Sequence, residues 1–206
     1  MRTPLIIVML KAPRPGLTKT RLAAEIGAEA AVVAYQTLVN RVLETLTSLS
    51  WPVQLRFSPD DASRELEPWL RPGWKMAPQG TGDLGARLNR AVDEGLAAGT
   101  ERVVVIGADC PYVEPHDFAE TAAALPDHDV VLGPAEDGGY WLIGLKRPTP
   151  QLFEFIPWST DRVLAETLNA AARTGLKTHL LRPLRDVDTA ADWRRYQEFL
   201  QTAKAS

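Results

Sequence analysis

A chain of 206 residues with 45% apolar and 24% charged content is sized for one well-buried domain, and a formal charge of −3 gives no general field for nucleic acid or an anionic membrane. Its single cysteine, Cys110, excludes an internal disulfide, and no CxxC or Cys/His cluster supports structural zinc. The opening Met1–Leu10 carries a short apolar run, too brief for a secretory signal, and no segment reaches membrane-spanning length, so the cytoplasm is the expected compartment.

Pro4–Leu10 (PLIIVML) reads as a buried strand, a near-continuous apolar run of the kind found at the centre of a parallel sheet. It feeds into Lys11-Ala-Pro-Arg-Pro-Gly16-Leu-Thr-Lys-Thr-Arg21, where two prolines and a glycine prevent regular structure. A helix is predicted to begin near Thr18, with Thr as its N-cap. Lys11, Arg14, Lys19 and Arg21 concentrate positive charge at that helix start, which suits phosphate. Neither GxxxxGK[ST] nor GxGxxG is present, and a solvated basic loop is the plain alternative. Ala28–Ser50 is predicted as a long helix with Tyr35, Val39, Val42, Leu46 and Leu49 on one stripe. Val53–Phe57 is a strand, Ser58–Asp61 opens a short helix carrying Leu66 and Trp69, and Trp74–Ala77 is an outer strand.

Gln79-Gly-Thr-Gly82-Asp83-Leu-Gly-Ala-Arg87 follows. Its glycines permit close approach to a ligand or tight helix–sheet packing, and Asp83 caps a helix whose inner face is Leu84, Leu88, Ala91 and Gly95. Val103–Ile106 is a second strand without a polar break, and Gly107-Ala108 carry the chain to Asp109. A carboxylate just past the C-terminal end of such a strand sits where open α/β sheets bind ligands, although turn capping also explains it. Cys110 reads as a small buried residue before it reads as a nucleophile. Pro115–Leu125 is a helix and His128–Gly133 a strand. Asp137-Gly138-Gly139 between apolar runs predicts a hairpin, hence one antiparallel strand in an otherwise parallel sheet. Trp158-Ser159-Thr160 precedes a helix over Asp161–Thr174, with Ser159 or Thr160 as its cap and Val163, Leu164 and Leu168 inward. Lys177–Leu181 is the last strand. Thr189-x-x-Asp192 fits a capping box at the start of the final helix, with Asp188 as the alternative cap, which leaves Asp186 over, and Asp188 too if Thr189 is the cap.

Strands alternate with helices throughout, so the predicted fold is α/β, a three-layer α/β/α sandwich on a mainly parallel mixed sheet, with residues 1–206 as one domain. Three elements are chemically meaningful together: the basic loop, Asp109, and the pair Asp186 and Asp188. Carboxylates from distant parts of the chain with cations from a third make a site for a hard divalent ion and a diphosphate, with Mg²⁺ or Mn²⁺ as the expected metal. Lys19 and Arg14 would then stabilise charge beyond the reach of the metal.

The series KAPRPGLTKTRLA, GDLGARL, GADCP, GPAEDGGYWLIGL, PWST and DVDTAADW, in that order, resembles a bacterial GT-A-fold glycosyltransferase family of arsenosugar-biosynthesis type, within the nucleotide-diphospho-sugar transferase superfamily. It is also similar to phospholactate guanylyltransferase and the molybdopterin-cofactor nucleotidyltransferases. The resemblance covers essentially the whole chain. It implies that Asp109 and Asp188 hold the metal, with Asp186 as a further candidate. It implies that Lys11, Arg14, Gly16, Lys19 and Arg21 meet nucleotide phosphates, and that Gln79, Gly82, Asp83 and Arg87 line the nucleotide pocket. Asp137, Gly138, Gly139, Trp158 and Ser159 fall on the acceptor side, and Asp109, Lys19 and Asp137 are the catalytic candidates. Glu136 and Asp137 are the candidates for general base. GADCP has one acidic residue, unlike the DxD of many GT-A glycosyltransferases, and Ala191 stands where relatives often have Glu. The implied reaction is sugar transfer from a nucleotide-sugar to a small acceptor, with nucleotidyl transfer from an NTP as the alternative and non-catalytic nucleotide binding as a third reading. Trp51 and Trp69 are weighed as a homodimer face against plain packing.

Overall fold

The computed structural model describes residues 3–205, with the side chains of residues 203–205 left aside. The predicted domain limits of 1–206 include Met1, Arg2 and Ser206, which lie outside the described residues. Seven strands form one sheet in the order β3-β2-β1-β4-β6-β5-β7. These are β1 Leu5–Lys11, β2 Val53–Ser58, β3 Lys75–Pro78, β4 Val103–Gly107, β5 Val130–Pro134, β6 Tyr140–Leu145 and β7 Thr178–Leu180. The helices are α1 Thr20–Ile26, α2 Ala28–Thr47, α3 Ser63–Leu66, α4 Leu84–Ala97, α5 Pro115–Ala124, α6 Val163–Arg173 and α7 Ala190–Ala205. All pairings are parallel except those of β6, which runs antiparallel to both β4 and β5, as the Asp137-Gly-Gly turn predicts.

The central strands alternate between two cores, as a period of two requires. Ile6, Val8 and Leu10 of β1 face one cluster with Tyr35, Val39, Val42 and Leu46 of α2 and Phe118 of α5. Ile7 faces the other cluster, with Leu88, Ala91 and Val92 of α4 and Ala170 and Ala171 of α6. This gives the expected three layers and explains why β1 and β4 read as unbroken apolar runs. Helix α7 lies outside α2, where Tyr196 packs with Leu38 and Val187.

Three local expectations are corrected. Helix α1 starts at Thr20 with Lys19 as its N-cap, and no side chain caps it. Thr18 is buried instead, and its hydroxyl donates 2.8 Å to the Ala12 carbonyl, tying the two ends of the basic loop together. Leu84 is exposed and does not join the inner face of α4, because it occupies the first turn beyond the Asp83 cap; Asp83 Oδ1 accepts from the Ala86 N–H at 2.8 Å as predicted. Neither Ser159 nor Thr160 caps α6; Arg162 holds that place, and Thr160 Oγ1 accepts a 3.3 Å bond from the Arg162 N–H one turn early. Trp69 is buried against Tyr35 with its indole N–H on Asn40, and Trp51 packs edge-on to Phe118, so packing accounts for both tryptophans.

Candidate functional site

Strands β1 and β4 are neighbours, and the chain leaves them in opposite directions across the sheet. The crevice outside their C-terminal ends is the topological switch point at which open α/β sheets take ligands. Here the loop after β1 presents Lys19 and the turn after β4 presents Asp109. Lys19 Nζ donates 3.1 Å to Asp109 Oδ2 and 2.6 Å to Asp188 Oδ1, with a side chain only 6% exposed. Gly107 makes room for this arrangement: a Cβ there would lie 2.7 Å from Asp109 Oδ1.

Asp188 reaches the same point through the segment between β7 and α7. That segment bonds along the end of β5, where the Leu184 N–H donates to the Pro134 carbonyl, and then the Val187 N–H donates 3.2 Å to the Asp109 carbonyl. Asp186 and Asp188 flank that residue. The start of α7 is the predicted capping box: Asp192 Oδ2 accepts from the Thr189 N–H at 3.0 Å, and Thr189 Oγ1 accepts from the Asp192 N–H at 3.2 Å.

The electrostatics follow from this crowding. Burial opposes the Lys19 charge, but Asp109 and Asp188 outweigh it and raise the ammonium above the ordinary lysine range. Burial also opposes ionisation of Asp109, and Lys19 reverses that, leaving the carboxyl below its usual value. Asp186 has no such partner. Burial, with Asp109, Asp137 and Asp188 nearby, pushes its carboxyl up to about 8. Its Oδ1 is buried without a hydrogen-bond partner. Burial likewise pushes the Cys110 thiol far up, which makes it the inert packed residue and not a nucleophile.

A cavity of about 830 Å³ opens beside these groups, within the range of small-ligand sites. Of the predicted residues, the structure brings Lys11, Lys19, Arg21 and Gln79 onto its wall, with Asp109, Asp137, Gly139, Trp158, Ser159, Asp186 and Asp188. A smaller space of about 240 Å³ adjoins it, bounded by Arg21, Arg185, Asp137, Asp186, Asp188 and Asp192. Arg14, Gly16, Gly82, Asp83, Arg87 and Gly138 do not line either space. Arg14 is held by Glu65, at 2.6–3.1 Å, and by Asp61 at 3.2 Å. Arg87 donates to the Gly82 carbonyl at 2.9 Å. Gln79 Nε2 is spent on the Leu10 and Arg56 carbonyls, both at 3.0 Å, so it pins strand ends at the cavity floor. Glu136 is ion-paired with Arg185, which removes it from the free bases. Asp137 Oδ1 accepts 2.8 Å from the Gly139 N–H.

Gly138 is the keystone of the turn between β5 and β6. It has φ of +89°, and a Cβ there would collide with the backbone carbonyl of Asp161. The Leu164 N–H donates 2.8 Å to the Gly138 carbonyl, so the turn is docked on the start of α6. Sequence reasoning missed Tyr35, Leu17, Tyr140 and Thr160 as wall residues. Tyr35 is read as one apolar stripe member, yet its hydroxyl accepts from the Lys11 N–H at 2.8 Å and donates to the Lys11 carbonyl at 3.2 Å. A tyrosine on an otherwise aliphatic stripe is the signal that could have found it.

Residues 41–160 match the family described as an uncharacterized protein conserved in bacteria, DUF2064. A phosphoenolpyruvate guanylyltransferase of Chloroflexus aurantiacus is 34% identical over 110 residues, 53% of this chain and 52% of that protein, so the match spans about half the length of that relative. A Desulfovibrio desulfuricans G20 protein described as a nucleotide-diphospho-sugar transferase superposes with a TM-score of 0.85 and 32% identity, covering 92% of this chain and 84% of that one. The fold is shared with Rv0371c of Mycobacterium tuberculosis H37Rv, solved in complex with manganese, at a TM-score of 0.59 and 18% identity over 95% of this chain and 99% of that one.

Proposed function

The chain belongs to the DUF2064 family, and from that premise we propose that it is a metal-dependent transferase that uses a nucleotide-activated substrate, with nucleotidyl transfer from an NTP as its reaction. One observation carries the reading: Lys19, Asp109 and Asp188, from three distant segments, meet at one ammonium nitrogen at the mouth of the cavity. Lys11 and Arg21 flank it on the same wall. A triphosphate brings more negative charge than a nucleotide-sugar, and three cations from one loop suit it. The guanylyltransferase relative points the same way. This reverses the order in which the sequence motifs alone rank the two chemistries.

Among the described residues, no three His, Cys, Asp or Glu side chains stand grouped as a ready metal cage. The donor set nevertheless fits a hard cation. Asp109, Asp186 and Asp188 offer only oxygen, and the buried, unpartnered Asp186 Oδ1 is an acceptor without a donor. These three residues would hold Mg²⁺ or Mn²⁺. A bound divalent ion would supply Lewis-acid charge to the phosphates. Lys19, Lys11 and Arg21 neutralise the non-bridging oxygens and the departing pyrophosphate. An acceptor oxygen attacks the α-phosphorus, the α–β bridging bond breaks, and its electron pair leaves with pyrophosphate. Trp158, Tyr140, Ser159 and Thr160 form an uncharged wall that orients a small acceptor, with Asp137 beside it.

That wall, together with the Desulfovibrio relative, favours sugar transfer as the second reading. Product detection separates the two. Pyrophosphate released from an NTP panel in the presence of Mg²⁺ is the expected result, and NDP released from a nucleotide-sugar panel would establish the second reading. Asp109→Asn should lower turnover by about 10²–10³-fold with the fold intact, and full activity in that variant would refute the assignment. No helix among the described residues is long and apolar enough to cross a membrane.

A further inference from the structure

Lys19 occupies the position that a cation bound between Asp109 and Asp188 would need. We propose that Lys19 is a resident counter-ion that couples metal to nucleotide. It neutralises the two carboxylates until a metal-bound polyphosphate arrives, and is then handed from carboxylate to phosphate. The proposal rests on the reading of this cavity as a metal–nucleotide site.

Four observations support it. The Lys19 ammonium bridges both carboxylates and is almost wholly withdrawn from solvent. No other described cation makes both contacts; Arg21 reaches only Asp188, at 3.9 Å, and is 74% exposed. The backbone beneath Lys19 is fixed, because the Thr18 hydroxyl is bound to the Ala12 carbonyl and the Ala23 N–H donates 2.8 Å to the Lys19 carbonyl. Lys19 itself has φ of +50°, which L-residues seldom adopt, so the loop is shaped to present this side chain. A rigid base leaves the side chain as the part that can turn. Lastly, Lys11 and Arg21 stand on the same wall, so phosphate drawn there arrives within the neighbourhood of Lys19.

The energetic consequence is a linkage. A divalent ion alone must displace a nearly buried ammonium and leave it without a partner, which is strongly unfavourable. A polyphosphate supplies the replacement partner. Metal and nucleotide therefore favour each other's binding, and the coupling is reciprocal. The site takes free metal weakly and is assembled far more readily by the metal–nucleotide complex.

The test titrates Mn²⁺ alone, and Mn²⁺ with inorganic tripolyphosphate as a base-independent probe. The readouts are the electron-paramagnetic signal of free Mn²⁺ and the melting temperature of the protein. Wild type should bind Mn²⁺ weakly alone and cooperatively with tripolyphosphate. Lys19→Met should bind Mn²⁺ alone about 5- to 150-fold more tightly and lose most of the cooperativity. Lys19→Gln keeps a hydrogen-bond donor on the carboxylates, guards against misfolding of Lys19→Met, and should gain affinity too. Lys19→Arg keeps the charge and should stay weak. Neutral variants that bind Mn²⁺ no better than wild type overturn the proposal while leaving the metal–nucleotide reading in place. Absence of Mn²⁺ binding in every protein, with or without tripolyphosphate, overturns both.

Discussion

Replacing Asp186 by Asn should stabilise the metal-free protein, and more so as pH rises. Burial and the surrounding Asp109, Asp137 and Asp188 push the Asp186 carboxyl up to about 8, against an ordinary value near 4 in the unfolded chain. The folded state thus holds this proton more tightly than the unfolded state. Below about pH 4 both states are protonated and the group costs nothing. Between about pH 4 and 8 the unfolded chain releases the proton freely and the folded one cannot, so the cost grows. Above about pH 8 it is constant. At ~1.4 kcal/mol per tenfold in proton affinity, the upper bound is ~6 kcal/mol. Asp186 is half-buried, so solvent screening reduces this to ~2–3 kcal/mol. In a domain of this size that corresponds to a melting-temperature rise of ~4–10 °C. Thermal unfolding of wild type and Asp186→Asn in EDTA, at pH 5 and pH 8.5, reads it directly. The gap between the two proteins should be small at pH 5 and several degrees at pH 8.5. A gap that does not change with pH, or a destabilised variant at pH 8.5, would show that the carboxylates are not crowded in the way described.

Three further substitutions check separate links. Gly107→Ala places a Cβ 2.7 Å from Asp109 Oδ1, a flexible side-chain end, so it should cost more activity than stability; paired turnover and melting measurements decide this. Gly138→Ala meets backbone at a φ of +89°, and should cost at least ~2 kcal/mol in urea unfolding, with a matching dislocation of the turn between β5 and β6. Arg14→Ala should leave the KM for nucleotide unchanged, because Glu65 and Asp61 hold that guanidinium away from the cavity; a large rise in KM would restore the phosphate role that the sequence suggests.

The sheet was legible because its strands are simple. Val103–Ile106 is apolar on both faces, and both faces are covered by helices. The Asp137-Gly-Gly turn announced the antiparallel strand. What could not be read were partners chosen across space. Arg14 and Lys19 look alike on one basic loop, but one finds acids 47 and 51 positions on, and the other finds acids 90 and 169 positions on. No local pattern distinguishes them. The glycine-rich segment left two readings open for a related reason, close approach of a ligand or tight packing. At Gly85 the close approach is made by the Phe153 carbonyl and the Trp158 indole of the same chain. A glycine states that something comes near; only the fold says what.

The lone acidic residue in Gly-Ala-Asp-Cys-Pro has a topological explanation. Strand β5 runs in the same direction as β1 and β4, so the turn from residue 135 to 139 at its C-terminal end lies on the same rim as theirs, and β6 runs back antiparallel from there. Strand β7 runs parallel to β5 and delivers the next segment to that rim as well. That segment is then stitched beneath the turn, with the Glu136 N–H on the Leu184 carbonyl, and onto the Asp109 carbonyl through the Val187 N–H. Asp186 and Asp188 therefore arrive beside Asp109 by two backbone bonds, not by adjacency in sequence. On the proposed reading, a chain built this way has no need of a DxD pair on one loop. Its second and third carboxylates are held on a separate segment, tied to the end of the central strand by the Val187 N–H on the Asp109 carbonyl.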